Sequence, residues 1–263
     1  MRIYVLCDLE GVSGVVSFDT DTRPGKPNYQ RSLRLAGAEL SAMIRGLRRG
    51  GASDVIVLDG HGPGGLDVET ITEPAEIRLG RPIIPPFGLQ GDDYDAVVLF
   101  AHHSMAGTVG GNLCHSWSSA GIVECRLNDQ PIGEIGWYCY LPGYFGKPVI
   151  LITGDDKACA EGRRYVPNMV TACVKTGINA SAAVCKSPPE ARAIIEAASE
   201  DAVQRASSVE PVCPAGPYRA TRMYLDPTPA EAFCTTHPQA ERADARTIAV
   251  TSDDFLELTR AFL

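Results

Sequence analysis

The chain has 263 residues, 44% of them hydrophobic, and its 24 Lys and Arg against 32 Asp and Glu give a formal charge of −8. These figures fit one large globular domain or two small ones, and they disfavour a nucleic-acid binder that relies on phosphate neutralisation. No apolar run reaches the roughly 18 residues of a membrane span, and acids follow the first apolar run too soon for a secretory signal, so no membrane contact is expected. The nine cysteines form no C-x-x-C pair, and we therefore expect free thiols and a cytoplasmic location.

The first two-thirds of the chain alternates between apolar runs and helical patterns. Residues 2–7 form a short apolar run, and apolar positions spaced by three or four residues predict a helix over 29–49. Continuous apolar runs follow at 54–59, 95–101 and 148–154, which is typical of strands covered on both faces of a parallel sheet. The sequence therefore predicts an α/β fold with a central, mostly parallel sheet and flanking helices.

The last third of the chain has a different pattern. An Asn-Asp turn within 122–136 predicts a hairpin, or a strand that leads into a helix, before that change. The elements predicted afterwards are a helix, a strand, a helix, a strand and a final helix, at 188–207, 218–226, 228–234, 246–252 and from Ser252. We therefore predict an α/β domain over 1–205 and a smaller α+β C-terminal extension over 206–263 that packs on it.

Potential metal ligands follow three of the predicted strands. Asp8 and Glu10 come directly after the run at 2–7, His61 follows the next strand, and His102 and His103 follow the strand after that. Ligands bind beyond the carboxyl ends of strands in open α/β sheets, so these side chains converge on one crevice if the three strands are parallel neighbours. If the third strand persists, only one of His102 and His103 points into the crevice, because neighbours on a strand face opposite sides. Two carboxylates and two imidazoles suit Zn²⁺ or a similar divalent ion better than Ca²⁺.

Other kinds of site lack their motifs. No G-x-G-x-x-G follows a strand and no Walker-type phosphate loop occurs, and H-E-x-x-H and G-x-S-x-G are absent as well. A metal-free transferase would need an anion cradle, and residues 102–120 contain no basic residue to build one. Two functions stay open on the residues alone: a metal-dependent hydrolase, and a non-catalytic α/β protein that holds a metal ion or small ligand in the same crevice.

Several short segments carry a joint resemblance to one family. They are DLEGVSG (8–14), DGHG (59–62), HSMAGT (103–108), LCHSW (113–117), LND (127–129), IGEIG (132–136) and TGDDK (153–157), with a weaker match at VKTG (174–177). In this order they resemble the zinc-dependent D-aminopeptidases, peptidase family M55, over roughly residues 1–200. Any one segment would be weak evidence, but together they are highly specific.

The resemblance implies the activity and the ligands. It implies an aminopeptidase that removes the N-terminal residue of short peptides or amino-acid amides, preferring D-residues, with two zinc ions per subunit or with Mn²⁺ or Co²⁺ in their place. It also implies a homo-oligomer, a ring-like decamer with inward-facing sites. The metal ligands that it implies are Asp8, Glu10, His61, His103 and Glu134, and the catalytic histidine is His115.

The predicted chemistry gives each side chain a role. In a two-metal site the ions share a bridging carboxylate, for which Asp8 is the candidate as the first acid after the first strand. His115 lies within reach of the same crevice and suits a general base or acid, because an imidazole pKa lies near neutral pH. Asn112 and Ser116 are candidate substrate-binding donors to a tetrahedral oxyanion, whereas Trp117 is expected in the core or at a subunit contact.

Three positions depart from the family pattern. Cys7 stands where serine is usual, and its small size predicts little change. The loop at 63–67 lacks a common asparagine, and His102 replaces a residue that is commonly aromatic. The last two departures leave the choice of substrate open, including hydrolysis of an amide that is not a peptide.

Overall fold

A computed structural model describes residues 1–91 and 93–263 of the chain. Within these residues the strands are β1 (Arg2–Cys7), β2 (Asp54–Asp59), β3 (Glu76–Arg78), β4 (Ala96–His102), β5 (Ile122–Leu127), β6 (Gln130–Pro131), β7 (Val149–Asp155), β8 (Val170–Asn179), β9 (Ala182–Cys185), β10 (Tyr218–Tyr224), β11 (Ala240–Arg242) and β12 (Thr247–Ser252). The α-helices are α1 (Tyr29–Arg49), α2 (Glu134–Tyr144), α3 (Asp156–Tyr165), α4 (Pro188–Gln204), α5 (Pro227–Thr236) and α6 (Phe255–Phe262). No helix among the described residues is long and apolar enough to cross a bilayer.

Two sheets organise the described residues. The larger sheet has the strand order β3-β2-β1-β4-β7-β8-β9, and its pairs are parallel except for β8 with β9. The smaller sheet is antiparallel, with the order β11-β12-β10-β5-β6. The predicted α/β fold with a mostly parallel central sheet and a smaller α+β portion is confirmed.

Strand β1 is an interior strand of the larger sheet, between β2 and β4. Cys7, its last residue, pairs with Asp59 of β2 and with Phe100 of β4, so the carboxyl ends of the three strands meet at one edge. The chain passes from β1 to β2 on one side and then to β4 on the other. This reversal of strand order opens the crevice in which α/β sheets bind ligands.

Burial explains the apolar runs. All seven residues of β4 and all seven of β7 are buried, which is why these strands lack alternation between apolar and polar residues. Helix α1 has the predicted bounds, and its periodic apolar residues, such as Leu40 and Ile44, are fully buried. It packs along α4, and Arg45 of α1 lies 3.1 Å from Glu196 of α4. Helix α2 packs along α3 in the same way.

The smaller sheet joins distant parts of the chain. Asn128 and Asp129, with φ of 49° and 63°, form the predicted turn between β5 and β6. Strand β5 then pairs with β10, so this sheet takes strands from both sides of residue 205, and the division into two domains stays a prediction. The final helix begins at Phe255 rather than Ser252, because Asp254 is the N-cap and accepts a hydrogen bond from the backbone N–H of Glu257.

Candidate metal centre

The loop after β1 carries two acids over the end of β4. The backbone N–H of Asp8 donates to Phe100 O at 2.9 Å, and that of Gly11 donates to Ala101 O at 2.6 Å. A Cβ on Gly11 would lie 2.3 Å from the carbonyl carbon of Ala101, so this close approach requires glycine. The side chains of Asp8 and Glu10 are thereby held, buried, at the carboxyl edge of the sheet.

The five predicted ligands lie together. We call Asp8, Glu10, His61, His103 and Glu134 the ligand cluster. Asp8 Oδ1 and Glu10 Oε2 each lie 3.0 Å from Nδ1 of His61, which follows β2. Asp8 Oδ2 lies 3.3 Å from Nε2 of His103, and Glu134 Oε1, at the start of α2, lies 3.5 Å from the same nitrogen. The two oxygens of Asp8 therefore face two different sets of ligand atoms.

Some atoms of the ligand cluster lack hydrogen bonds. Within residues 1–91 and 93–263, Glu10 Oε2 and His103 Nε2 are buried without a partner in hydrogen-bond geometry, despite the short contacts above. Native proteins satisfy almost all buried polar atoms, so such atoms call for a ligand. Two groups of ligand atoms each lie within 4.8 Å of one another: Asp8, Glu10 and His103, and His103, His115 and Glu134. Carboxylate oxygens and imidazole nitrogens at this spacing fit a divalent ion such as Zn²⁺.

The charges in the ligand cluster also favour a cation. Burial acts to raise the pKa of Asp8, but the neighbouring imidazoles of His103 and His61 outweigh it and hold that pKa well below its usual value. Burial acts to lower the pKa of both imidazoles, yet Glu10 and Asp8 raise that of His61, and Glu134 and Asp8 raise that of His103, well above the usual value. The carboxylates therefore attract positive charge into this crevice.

His115 lies against the ligand cluster. Its ring stacks on the ring of His103, with centroids 3.9 Å apart and planes at 17°, and the ring of Phe18 meets it edge-on at 5.3 Å. Nδ1 lies 2.9 Å from Leu113 O, and because a carbonyl only accepts, Nδ1 carries the proton of the neutral imidazole and Nε2 keeps a lone pair. Burial, followed by the neighbouring His103, lowers the pKa of His115.

The paired histidines His102 and His103 do not face opposite sides of the strand. The expectation that only one of the paired histidines points into the crevice required the strand to continue, but Ala101 has a φ of 60°, which breaks the alternation. His102 Nδ1 consequently lies 4.0 Å from Asp8 Oδ2, and its Nε2 lies 3.3 Å from Leu6 O. Both histidines therefore border Asp8.

Comparison with known proteins assigns the chain to a family. The D-aminopeptidase family model, Peptidase_M55, matches residues 1–263. The chain belongs to the D-aminopeptidase family. A D-aminopeptidase of Bacillus subtilis (strain 168) is 33% identical over 218 residues, which are 81% of this chain and 78% of that protein. The solved Zn-dependent D-aminopeptidase DppA from Bacillus subtilis, described as a self-compartmentalizing protease, has a TM-score of 0.89 at 29% identity and covers 99% of this chain and 95% of its own.

The resemblance predicted from the sequence motifs is thus confirmed, and family membership supports a peptidase. In this D-aminopeptidase family member, a cavity of about 400 Å³ opens beside the ligand cluster. Asp8, Glu10, His61, His115 and Glu134 line it. Aromatic and aliphatic side chains such as Phe18, Phe87, Trp117, Tyr138 and Ile83 line it as well, together with polar side chains such as Arg23 and Arg81. This volume is within the range of small-molecule sites.

The two predicted oxyanion donors are committed elsewhere. Asn112 has no exposed surface, its Nδ2 donates to Val16 O at 3.1 Å, and its Oδ1 accepts from Nζ of Lys175 at 2.8 Å. Ser116 Oγ accepts from the backbone N–H of Ala106 at 3.2 Å and is almost fully buried. Both side chains therefore hold loops in this D-aminopeptidase family member, and substrate binding by them stays a prediction.

Several side chains of the cavity had no predicted role. Phe87, Tyr138 and Arg23 lie outside every run of metal-ligand residues, and no spacing in the sequence connects them. Trp117, expected in the core or at a subunit contact, is half-buried and lines the cavity. Only the weak match at 174–177 pointed toward Lys175.

Proposed function

We propose that this chain is a metal-dependent aminopeptidase that removes the first residue of short peptides or amino-acid amides, with a preference for D-residues. The observation that carries the proposal is the placement of Asp8, whose two carboxylate oxygens face separate imidazoles, at 3.0 Å from His61 and 3.3 Å from His103. A carboxylate in this arrangement suits a bridge between two metal ions. The relatives described as D-aminopeptidases support the reaction class.

Two zinc ions per subunit are part of the proposal. Asp8, Glu10 and His61 would hold one ion, and Asp8, His103 and Glu134 the other, because these are the two sets into which the short contacts divide. When bound, zinc supplies Lewis acidity that polarises a scissile carbonyl and makes water a better nucleophile at neutral pH. Mn²⁺ and Co²⁺ can bind the same donors, since availability as well as affinity decides the resident ion.

The protein's own groups orient and move protons. His115 keeps its Nε2 lone pair because Nδ1 is held by Leu113 O, and the rings of His103 and Phe18 fix its plane. We assign it the catalytic role of general base or acid. Its Nε2 would take a proton from the water molecule that attacks the scissile carbonyl and would return it to the leaving amine.

Assembly and location extend the proposal. The solved relative is described as self-compartmentalizing, and we propose that this chain also forms a homo-oligomer, a decamer, with its sites facing inward. A cytoplasmic location stays a prediction. Light scattering on the purified protein, with mass read across a tenfold dilution, checks the subunit number.

Two experiments test the function. Elemental analysis of freshly purified protein should find about two zinc-like ions per chain, and a screen of D- and L-aminoacyl amides and dipeptides should show hydrolysis that chelation abolishes and zinc restores. One ion per chain and no hydrolysis under any metal loading would instead support a non-catalytic metal- or ligand-binding protein. Cleavage of a non-peptide amide, with every peptide left intact, would support the other alternative.

A further inference from the structure

We propose that the cavity selects short peptides that combine a large apolar first side chain with a free C-terminal carboxylate. This inference rests on the proposed aminopeptidase function and concerns its substrate. An aromatic end, formed by Phe87, Trp117 and Tyr138, would bind the first side chain, and Arg23 at the exposed rim would bind the carboxylate.

The aromatic end is a packed set of rings. Phe87 stacks on Trp117 with centroids 6.2 Å apart and planes at 15°. Tyr138 meets both rings edge-on, at 5.4 Å from Phe87 and 5.7 Å from Trp117. Phe87 is 8% and Tyr138 7% exposed, yet both line the cavity. An enclosed aromatic surface of this kind favours an apolar or aromatic guest over a methyl group, which would leave most of it uncovered.

Two of these rings belong to residues with a strained backbone. Phe87 and Trp117 have φ of 60° and 61°, in the left-handed region that bulky L-residues avoid. Such strain persists where the surroundings over-determine it, and it concentrates at ligand sites. Since the two strained residues stack on each other in the cavity wall, the surrounding packing holds the aromatic surface against the local backbone preference.

The aromatic end adjoins the ligand cluster directly. The backbone N–H of Trp117 donates to Glu134 Oε1 at 2.7 Å. The ring of Tyr138 meets the ring of His102 at 5.5 Å. A substrate with its scissile carbonyl at the ligand cluster would thus have one flanking side chain at the rings. Nothing precedes the first residue of an aminopeptidase substrate, so the enclosed end suits that residue and the open rim suits the rest of the peptide.

The rim carries an available guanidinium. Arg23 is exposed, and among the described residues its side chain makes one hydrogen bond, from Nη2 to Ser119 Oγ at 2.8 Å. The preceding residue, Thr22, places its carbonyl 2.8 Å from Nε2 of His61, so Arg23 stands next to the ligand cluster.

The other guanidinium on the cavity is committed to the protein. Arg81 donates to Gly62 O and Gly80 O, both at 2.8 Å, and also to His61 O. Arg23 retains donors in the fork geometry that matches a carboxylate. The chain has a net charge of −8, so most of its surface repels an anion, whereas the guanidinium of Arg23 attracts one. This local positive charge would therefore favour the C-terminal carboxylate of a short peptide at the rim.

Matched substrates test the proposal on the zinc-loaded enzyme. The set is Phe-Ala, Ala-Ala and the C-terminal amide of Phe-Ala, each in the stereoisomer that the wild type cleaves faster. We expect kcat/KM for Phe-Ala to exceed that for Ala-Ala by roughly tenfold or more, as an apolar pocket discriminates by added carbon atoms. Amidation should lower kcat/KM about tenfold, because it removes a charge-assisted contact.

Matched variants assign the two effects to residues. Arg23→Ala should remove the difference between the acid and the amide, and Arg23→Lys should restore part of it. The control Arg163→Ala removes an exposed charge in the last turn of α3 and should leave the difference unchanged. Phe87→Ala should bring the ratio of kcat/KM for Phe-Ala to that for Ala-Ala close to one. If the alanine variant does not fold, Phe87→Leu, which keeps a larger side chain, replaces it in the same test.

The possible outcomes separate the two levels of the proposal. Cleavage of neither dipeptide by the wild type would overturn the aminopeptidase function and this inference with it. Faster cleavage of Ala-Ala than of Phe-Ala, or an unchanged acid-to-amide ratio in Arg23→Ala, would leave the function standing and overturn the inference. A reduced preference for Phe-Ala in Phe87→Ala, or in Phe87→Leu if the alanine variant does not fold, would support it, together with an acid-to-amide difference that is lost in Arg23→Ala, partly kept in Arg23→Lys and unchanged in Arg163→Ala.

Discussion

Two buried polar clusters lie side by side in this protein and differ in how they are satisfied. The ligand cluster gathers five titratable side chains and leaves Glu10 Oε2 and His103 Nε2 without hydrogen bonds within the described residues. The second, which we call the lysine cluster, consists of Lys175, Asn112 and Asp155. Lys175 is 2% exposed, and its ammonium donates to Glu10 O at 2.5 Å, Val15 O at 2.6 Å and Asn112 Oδ1 at 2.8 Å.

The lysine cluster is closed. Three acceptors match the three donors of an ammonium group, and Asp155 accepts from the backbone N–H groups of Asn112 and Ala158. Burial lowers the pKa of Lys175 to about 8, while Asp155 acts in the opposite direction. A satisfied buried network stabilises one conformation, whereas charged buried atoms without a hydrogen bond are costly unless a ligand binds them. The lysine cluster also carries the backbone of Glu10, so the closed cluster positions the open one.

The largest expected effect comes from Asp8→Asn. Loss of the shared carboxylate should remove bound zinc and lower kcat/KM by at least about 10³-fold, beyond the 10–100-fold typical of residues that only support a ligand. Elemental analysis measures the zinc bound per chain, and dipeptide hydrolysis measures kcat/KM. The control is Asp19→Asn, an exposed acid in the same loop. Full activity with two ions still bound to the Asp8 variant would contradict the assignment.

His115→Ala separates catalysis from metal binding within the ligand cluster. We expect kcat to fall roughly 10²- to 10⁴-fold, the usual contribution of a general base or acid, while the metal content stays at the wild-type value. Single-turnover assays and elemental analysis of the same sample give the two numbers. Loss of one ion would show that His115 is a ligand, as its grouping with His103 and Glu134 also allows.

Lys175→Met should act on stability. It leaves three buried acceptors unsatisfied, so the free energy of unfolding should fall by about 3–5 kcal/mol. Urea unfolding of metal-free protein at a fixed concentration measures it, since metal and assembly would shift the result. The control Lys186→Met removes an exposed lysine paired with Glu190 at 2.8 Å and should change stability by about 0.5 kcal/mol or less. Equal effects from both lysines would refute the contrast between the clusters.

The smallest effect concerns Glu39, a buried carboxyl beside the lysine cluster. Its Oε1 accepts from the backbone N–H of Ser13 at 3.1 Å, and its Oε2 has no partner among the described residues. Burial raises its pKa to about 8, although the hydrogen bond from Ser13 and the charges of Lys175 and Arg192 act to lower it. The carboxyl group of Glu39 is therefore neutral at pH 7, whereas that of Asp8 in the ligand cluster is charged.

The sign of the pH effect follows from that raised pKa. Between about pH 4.3, the ordinary value for glutamate, and pH 8, the folded state binds more protons at Glu39 than the unfolded state, so this group makes stability fall as pH rises. Glu39→Gln has no group that titrates at this position, so it avoids this loss of stability. Its free energy of unfolding relative to the wild type should rise by about 1 kcal/mol per pH unit between pH 5 and 8, measured on metal-free protein. The control Glu69→Gln, at an exposed position, should show the same pH dependence of stability as the wild type. The same pH dependence in Glu39→Gln would disprove the raised pKa of Glu39.

Much of the larger sheet could be predicted because its signals are local. The apolar runs at β1, β2, β4 and β7 and the periodicity of α1 appear in consecutive residues, and the structure reproduces their bounds within one residue. β8 was not predicted: it pairs with β9 at the edge of the sheet, and exposed residues interrupt its apolar pattern. The predicted strand at 218–226 ends at Tyr224 in the structure.

The sequence by itself determined which residues end the central strands, and so the donor types of the ligand cluster. These donor types could be predicted from the order of neighbouring residues, because an acid or histidine that follows an apolar run lies at the carboxyl edge of a parallel sheet. Only the tertiary structure decided what surrounds that cluster. Lys175 donates to backbone carbonyls 160 and 165 residues away, and Phe87 and Trp117 of two loops meet Tyr138 of helix α2. Such contacts depend on packing between distant segments, and no short pattern of residues encodes them.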